Sequence, residues 1–218
     1  MNTVQNNFVI TIMDNPKSVK AAERCIESGQ RHGGIAIEMF PAITPKDDLA
    51  GILAKEGIDK RGFVERYSRT PNCIAAFLSH YTLWKKCAES YKTFFIFEHD
   101  AVIVNNINSQ LQPTVAMNLG SPSYGKYNMP RIGEGPLTSK AYFPGAHAYC
   151  VSPKGAEQLV YEAKRNARPT DVFLNIHTFP GLQEKYPWPV ECQDSFTTIQ
   201  NETGCLAKHN YNEQYEII

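Results

Sequence analysis

The chain has 218 residues, enough for one domain with a sizeable core, and its 22 Lys and Arg balance its 22 Asp and Glu. That neutrality gives no electrostatic case for nucleic acid or an anionic membrane as partner, so any anionic ligand must be met locally. No apolar run reaches the roughly 20 residues that span a bilayer, and the polar start at residues 1–7 lacks the basic head and apolar body of a signal peptide; the expectation is a cytoplasmic chain with no membrane span.

Residues 8–13 are almost wholly apolar, as in a strand buried on both faces of a parallel sheet. Asn15 and Pro16 then supply a cap and a first helical residue, Val19, Ala22, Ile26 and Gly29 recur at helical spacing, and Gly33-Gly34 ends the helix. Residues 35–43 alternate loosely as a second strand. A short helix is expected around 48–56, followed by the polar, basic segment 60–69, whose arginines either reach a diphosphate or lie in a solvated loop. Thr70 caps the next helix, Pro71 takes its first position, and Ile74, Phe77, Leu78, Tyr81, Trp84 and Ala88 form an apolar stripe interrupted by Ser79 and His80.

Residues 93–104 hold the central signal. Apolar, β-favouring residues are broken by Glu98 and Asp100, one residue apart, and then resume. Ionised carboxylates at such a place need a partner or a metal unless they simply face water at a strand end. At the carboxyl end of a parallel strand they would suit a divalent ion holding a phosphate-bearing substrate.

Further along, residues 113–120 read as a short strand. The stretch 121–140, rich in Gly, Pro, Ser and Tyr, reads as a long functional loop, where an acceptor or a donor-induced closure has room. Residues 145–152 form a strand of small and aromatic residues, Ser152-Pro153 starts a helix, Asp171 stands beside an apolar run, and the tail 186–218 reads as largely irregular. The six cysteines are scattered without a C-x-x-C pair, which argues against a zinc knuckle or redox motif; most are expected to be reduced core residues, and a Cys192–Cys205 bridge is disfavoured.

Four stretches in this order resemble glycosyltransferase family 25, which includes lipooligosaccharide galactosyltransferases and collagen galactosyltransferase domains. They are Leu78-Ser79-His80 through Trp84; Phe97-Glu98-His99-Asp100; Gly145 through Tyr149 with Ser152-Pro153-Lys154-Gly155-Ala156; and Pro169-Thr170-Asp171. This chain departs from the family pattern in three places. His99 replaces the central acid of Glu-Asp-Asp, Ala75-Ala76 replaces Gly-Cys, and the arginine after the first strand is missing, with Lys17 or Lys20 nearest.

The resemblance implies an α/β, GT-A-like nucleotide-sugar-binding fold with a mostly parallel central sheet flanked by helices. It implies a single domain over 1–218, with a nucleotide-sugar half at about 1–104 and an acceptor-side half at about 113–218. The implied reaction moves a sugar, galactose foremost, from a UDP-sugar to a saccharide or other hydroxyl acceptor with inversion. Mn²⁺ or Mg²⁺ would be held by Glu98 and Asp100, where the His99 imidazole either joins the coordination or points away. Thr11, Ser79 and His80 would line the donor, and Gly145, His147 and Tyr149 would border the sugar and acceptor. Asp171 is the expected base, with Asp194 and Glu134 as competitors, or else a helix cap. An impaired sugar- or nucleotide-binding module and a metal-dependent phosphohydrolase are the alternatives; the latter would bring more acids near the first strand, where only Asp14 stands.

Overall fold

The apolar run near the start forms β1, Asn7–Thr11, ending two residues before Met13. Residues 6–64, 68–123, 125–193, 196–200 and 216–218 are described by this computed structural model. Asn15 accepts from the backbone N–H groups of Lys17 (3.0 Å) and Ser18 (3.3 Å) and so caps α1, Pro16–Ser28. A π-helical turn, Gly29–Gly33, follows, and Gly34 at φ 61° supplies the left-handed stop. The second strand is shorter than its sequence suggests: β2 covers Glu38–Pro41. Asp48 caps α2, Leu49–Glu56, and a 3₁₀ turn spans Lys60–Gly62.

The long helix α3, Thr70–Ala88, starts one residue before its expected position, so Thr70 lies inside it and Arg69 is the cap residue. The reason is tertiary. Arg69 N–H donates to Ile199 O (2.7 Å) and Ser68 bridges to Gln200, which holds the chain extended up to Arg69, whose carbonyl then accepts from Cys73 N–H (3.0 Å). The stretch 93–104 divides at its acids into β3, Phe94–Glu98, and β4, Ala101–Ile103.

Then come β5, Ala116–Asn118; β6, Gly133–Pro136, within the expected long loop; and β7, Ala148–Val151. Ser152 Oγ accepts from Gly155 N–H (3.1 Å) to cap α4, Pro153–Asn166, and α5, Thr170–Phe173, is a single turn. The chain continues through β8, Gln183–Tyr186, and β9, Val190–Cys192; β10, Phe196–Thr197, pairs with β11, Glu216–Ile217. The tail therefore holds strands where an irregular segment was expected.

The central sheet runs β2-β1-β3-β7-β5-β8-β6. The pairings put β1, β2, β3, β5 and β8 in one direction and β6 and β7 in the other, so five of seven strands are codirectional. On one face α3, α4 and α5 bury Phe77, Leu78, Trp84, Leu159 and Phe173 against Ile96, Tyr149 and Val151. On the other, α1 and the β4–β9 ribbon cover Val9, Phe95, Phe97 and Cys150 with Cys25, Ile103 and Val190. A fully enclosed side chain such as Phe77 contributes about 1.5–3 kcal/mol. Cys25, Cys73, Cys87 and Cys150 are buried and Cys192 is half-buried, none of them in a disulfide among the described residues; Cys205 and any bridge to it lie outside the described residues. No described helix is long and apolar enough to cross a membrane.

Candidate functional site

The strands that share a direction finish at one edge of the sheet, and β7, running oppositely, begins there. That edge gathers Thr11 at the end of β1, Glu98 at the end of β3, Gly120 just beyond β5 and His147 just before β7. Ligands of open α/β sheets collect at such an edge. Glu98 N–H donates to His147 O (2.9 Å), which fixes the two residues opposite one another. Thr11 is enclosed, its hydroxyl turned back onto Val9 O (3.0 Å).

Glu98 is held by a chain of side chains from two elements, α3 and β7. Trp84 Nε1, which can only donate, gives its hydrogen to the Tyr149 hydroxyl at 2.8 Å. Tyr149 O–H lies 2.9 Å from His80 Nδ1, and His80 Nε2 lies 3.1 Å from Glu98 Oε1. Burial is the chief cause holding the Tyr149 phenol well above its ordinary range, so it stays a donor. The pattern assigns the hydrogen of His80 to Nε2, from which it donates to the carboxylate. His80 and Trp84 stand one turn apart on α3, so both reach β7, and Phe173 stacks on Trp84 at 5.4 Å from behind. The polar interruption in the apolar stripe is thus a satisfied buried histidine aimed at Glu98.

Asp100 is approached from the other side. Because β4 pairs with β9, Ala101 opposite Cys192, the Cys192 thiol donates to Asp100 Oδ2 at 3.2 Å, and Gln193 N–H donates to Asp100 O (3.0 Å). Burial, reinforced by the charge of Asp100, pushes the Cys25 thiol up to about 12. His99 points to α1. Ser18 Oγ accepts from Ile12 N–H (2.9 Å) and lies 3.1 Å from His99 Nδ1, while the ring stacks on Phe196 at 5.3 Å.

His147 is 2 % exposed, with its ring against two glycines: a Cβ on Gly120 would lie 2.3 Å from Nε2, and one on Gly145, itself at φ 146°, 2.7 Å from Nδ1. Burial lowers its pKa, opposed by the charges of Asp100 and then Glu98. Its Nε2 is buried with no hydrogen-bond partner among the described residues.

The other expected site residues are placed as follows. Ser79 Oγ accepts from Ile43 N–H (2.9 Å) and donates to Ala75 O (2.9 Å), which ties the segment after β2 to α3. Asp171, in the first turn of α5, accepts from Val172 N–H (2.8 Å) and lies within electrostatic reach of Lys140, whose pKa burial lowers and Asp171 raises. Glu134 pairs with Lys185 across β6 and β8 (3.4 Å). Asp194 lies outside the described residues, as does Arg66 of the basic segment. In that segment Arg61 Nε donates to Asp59 (2.6 Å) and Arg69 Nη2 to Ile218 O (2.6 Å); Lys17 pairs with Glu216.

One acid was missed. Glu184 on β8 is 2 % exposed and takes three donors on Oε1: Thr138 N–H (2.6 Å), Ser139 N–H (2.8 Å) and Thr138 Oγ1 (3.0 Å). Its only sequence signal is the alternation Leu182, Glu184, Tyr186, too short to distinguish from a surface strand.

Glu98 and Asp100 offer hard oxygen ligands, and a set of one or two carboxylates completed by substrate phosphates fits Mg²⁺ or Mn²⁺. Among the described residues no group of three or more His, Cys, Asp or Glu is gathered as for a metal ion.

A family model described as "Glycosyltransferase family 25 (LPS biosynthesis protein)" matches residues 4–120, more than half of the 218. Among solved structures, the apo-form glycosyltransferase GlyE of Streptococcus pneumoniae TIGR4 is similar at 11 % identity and a TM-score of 0.42, over 84 % of this chain and 45 % of that one. The chain thus spans less than half the length of that structure. No curated protein matches the sequence.

Proposed function

The chain belongs to glycosyltransferase family 25, and from that premise we propose that it moves a hexosyl group, galactose foremost, from a UDP-sugar to a hydroxyl of a saccharide acceptor with inversion. The observation that carries this reading is Glu98, fixed at the end of β3 by His80 and followed two residues later by Asp100 at the ligand-binding edge.

In the proposed reaction the acceptor oxygen attacks the anomeric carbon, its proton passes to Asp171, and the bond to the diphosphate breaks with its electron pair leaving on UDP. Charge developing on that leaving group is what a divalent ion held by Asp100, with Glu98 beside it, would offset when bound. Glu98 is oriented by the hydrogen bond from His80. Thr11 and the Ser79-anchored segment at Ile43 stand on the β1–β2 side, which we assign to the nucleotide. Gly145, His147 and Tyr149 are assigned to the sugar side, where the two glycines leave room for the His147 ring. Asp171 is assigned to the acceptor side through its proximity to Lys140, the neighbour of Ser139.

An assay of UDP, UMP and galactose 1-phosphate release from UDP-galactose, with and without Mn²⁺ and a saccharide acceptor, tests the reading. Sugar transfer with UDP release supports it. Release of UMP and galactose 1-phosphate in place of UDP favours a phosphohydrolase, and nucleotide binding without turnover favours a binding module.

A further inference from the structure

Farther along the same sheet is a polar cluster that this reaction leaves unused. Glu184 pairs in register with Asn118, which pairs with Tyr149, so these three side chains share the face covered by α3. All three donors to Glu184 converge on Oε1. Its Oε2 is buried without a partner among the described residues, and so are Ser139 Oγ, on a residue 1 % exposed, and Trp188 Nε1. Trp188 packs edge-on against Tyr186 at 4.9 Å and against Tyr127 at 5.6 Å. Tyr127 is 45 % exposed, and the next residue, Asn128, donates its N–H to Ser139 O at 2.9 Å. The unmet atoms and the aromatic rim therefore belong to one connected group.

Buried polar atoms require partners, and these three make different demands. The Glu184 oxygen needs a donor, the Trp188 N–H needs an acceptor, and the Ser139 hydroxyl serves as either. A phosphate or carboxylate would be repelled by Glu184, and an ammonium would leave Trp188 unmet. Hydroxyl groups satisfy all three, and aromatic rings cover the apolar face of the pyranose that carries them.

We infer that Glu184, Ser139 and Trp188, rimmed by Tyr127, form the subsite for a neutral, hydroxyl-bearing sugar unit of the acceptor. The inference rests on the transferase reading and assigns its acceptor end. Location agrees with the chemistry: Val190, two residues past Trp188, exchanges backbone hydrogen bonds with Leu119 (3.2 Å) and Ser121 (2.8 Å), the residues flanking the Gly120 that abuts His147.

The full chain, saturated with UDP, is titrated with methyl β-galactoside, methyl β-glucoside and lactose while tryptophan fluorescence is followed. The same saccharides then serve as acceptors for Glu184→Gln, Trp188→Phe and the exposed-site variant Tyr127→Ala. The expected results are a saccharide-dependent fluorescence change that Trp188→Phe abolishes, and an acceptor KM raised about tenfold or more in Glu184→Gln and Tyr127→Ala with donor KM retained. An unchanged acceptor KM in both, or no saccharide binding by the wild type, overturns the subsite. If no nucleotide sugar is turned over, the transferase reading fails, while saccharide binding lost in these variants still upholds the subsite.

Discussion

His80 Nε2 lies 3.1 Å from Glu98 Oε1, on a ring whose other nitrogen is 2.9 Å from the Tyr149 hydroxyl. Removing that hydroxyl would strand two buried groups, the Trp84 N–H and His80 Nδ1. Tyr149→Phe should therefore lose stability by about 1–3 kcal/mol for each stranded group while keeping its fold, and transfer should fall as Glu98 loses its orientation. Urea unfolding alongside kcat checks this. Wild-type stability in the variant would show that the hydrogen-bond chain does not hold.

For Asp100→Asn, the expected outcome is a folded protein whose transfer rate drops at least on the order of a hundredfold, because one ligand oxygen and its charge are gone. The Cys192 thiol retains an oxygen acceptor in the amide, so the β4–β9 ribbon should survive. Steady-state kinetics across a Mn²⁺ series reads the effect; full activity independent of metal would remove Asp100 from the site.

Much of the frame was legible because its signals are local. Asn15 and Ser152 cap helices where a small polar residue precedes a helical pattern. Glu98 and Asp100 stood out because they interrupt an apolar run. The partners of those acids were not legible. Cys192 reaches Asp100 across 92 positions, and nothing in the spacing of α3 says that His80 meets Glu98, a pairing made only when β3 and β7 lie against that helix. The strands β6 and β9 were missed for the same reason: each is short, and each exists because β8 or β4 pairs with it.

Gly120→Ala probes the His147 pocket. The added Cβ would sit 2.3 Å from Nε2 and 2.6 Å from Cε1 of a ring that is 2 % exposed and has little room to yield. Overpacking of this kind costs about 1–3 kcal/mol. Thermal or urea unfolding should show that loss, and a variant as stable as the wild type would mean the ring is not seated against Gly120.

Asp171→Asn separates binding from chemistry. UDP affinity, measured by calorimetry, should be retained, and transfer should fall by roughly a hundred- to ten-thousandfold if Asp171 takes the acceptor proton. Unchanged transfer would remove Asp171 as the base and leave it a structural role that includes accepting the Val172 N–H.

Away from the site, Glu56 ties α2 to α3 through Lys85 Nζ at 2.8 Å and the Tyr81 hydroxyl at 3.0 Å. Burial raises its pKa, but the hydrogen bonds from Lys85 and Tyr81 and the Lys85 charge outweigh that, so the folded value lies below the ordinary 4.5. The unfolded chain then binds the proton first. Stability from this group is complete above about pH 4.5 and is lost as pH falls through the folded value. Glu56→Gln should accordingly flatten the acid limb of the stability–pH profile and lower stability at neutral pH, as read by urea unfolding between pH 3 and 7. A variant whose acid limb is as steep as that of the wild type would show that other carboxylates set it.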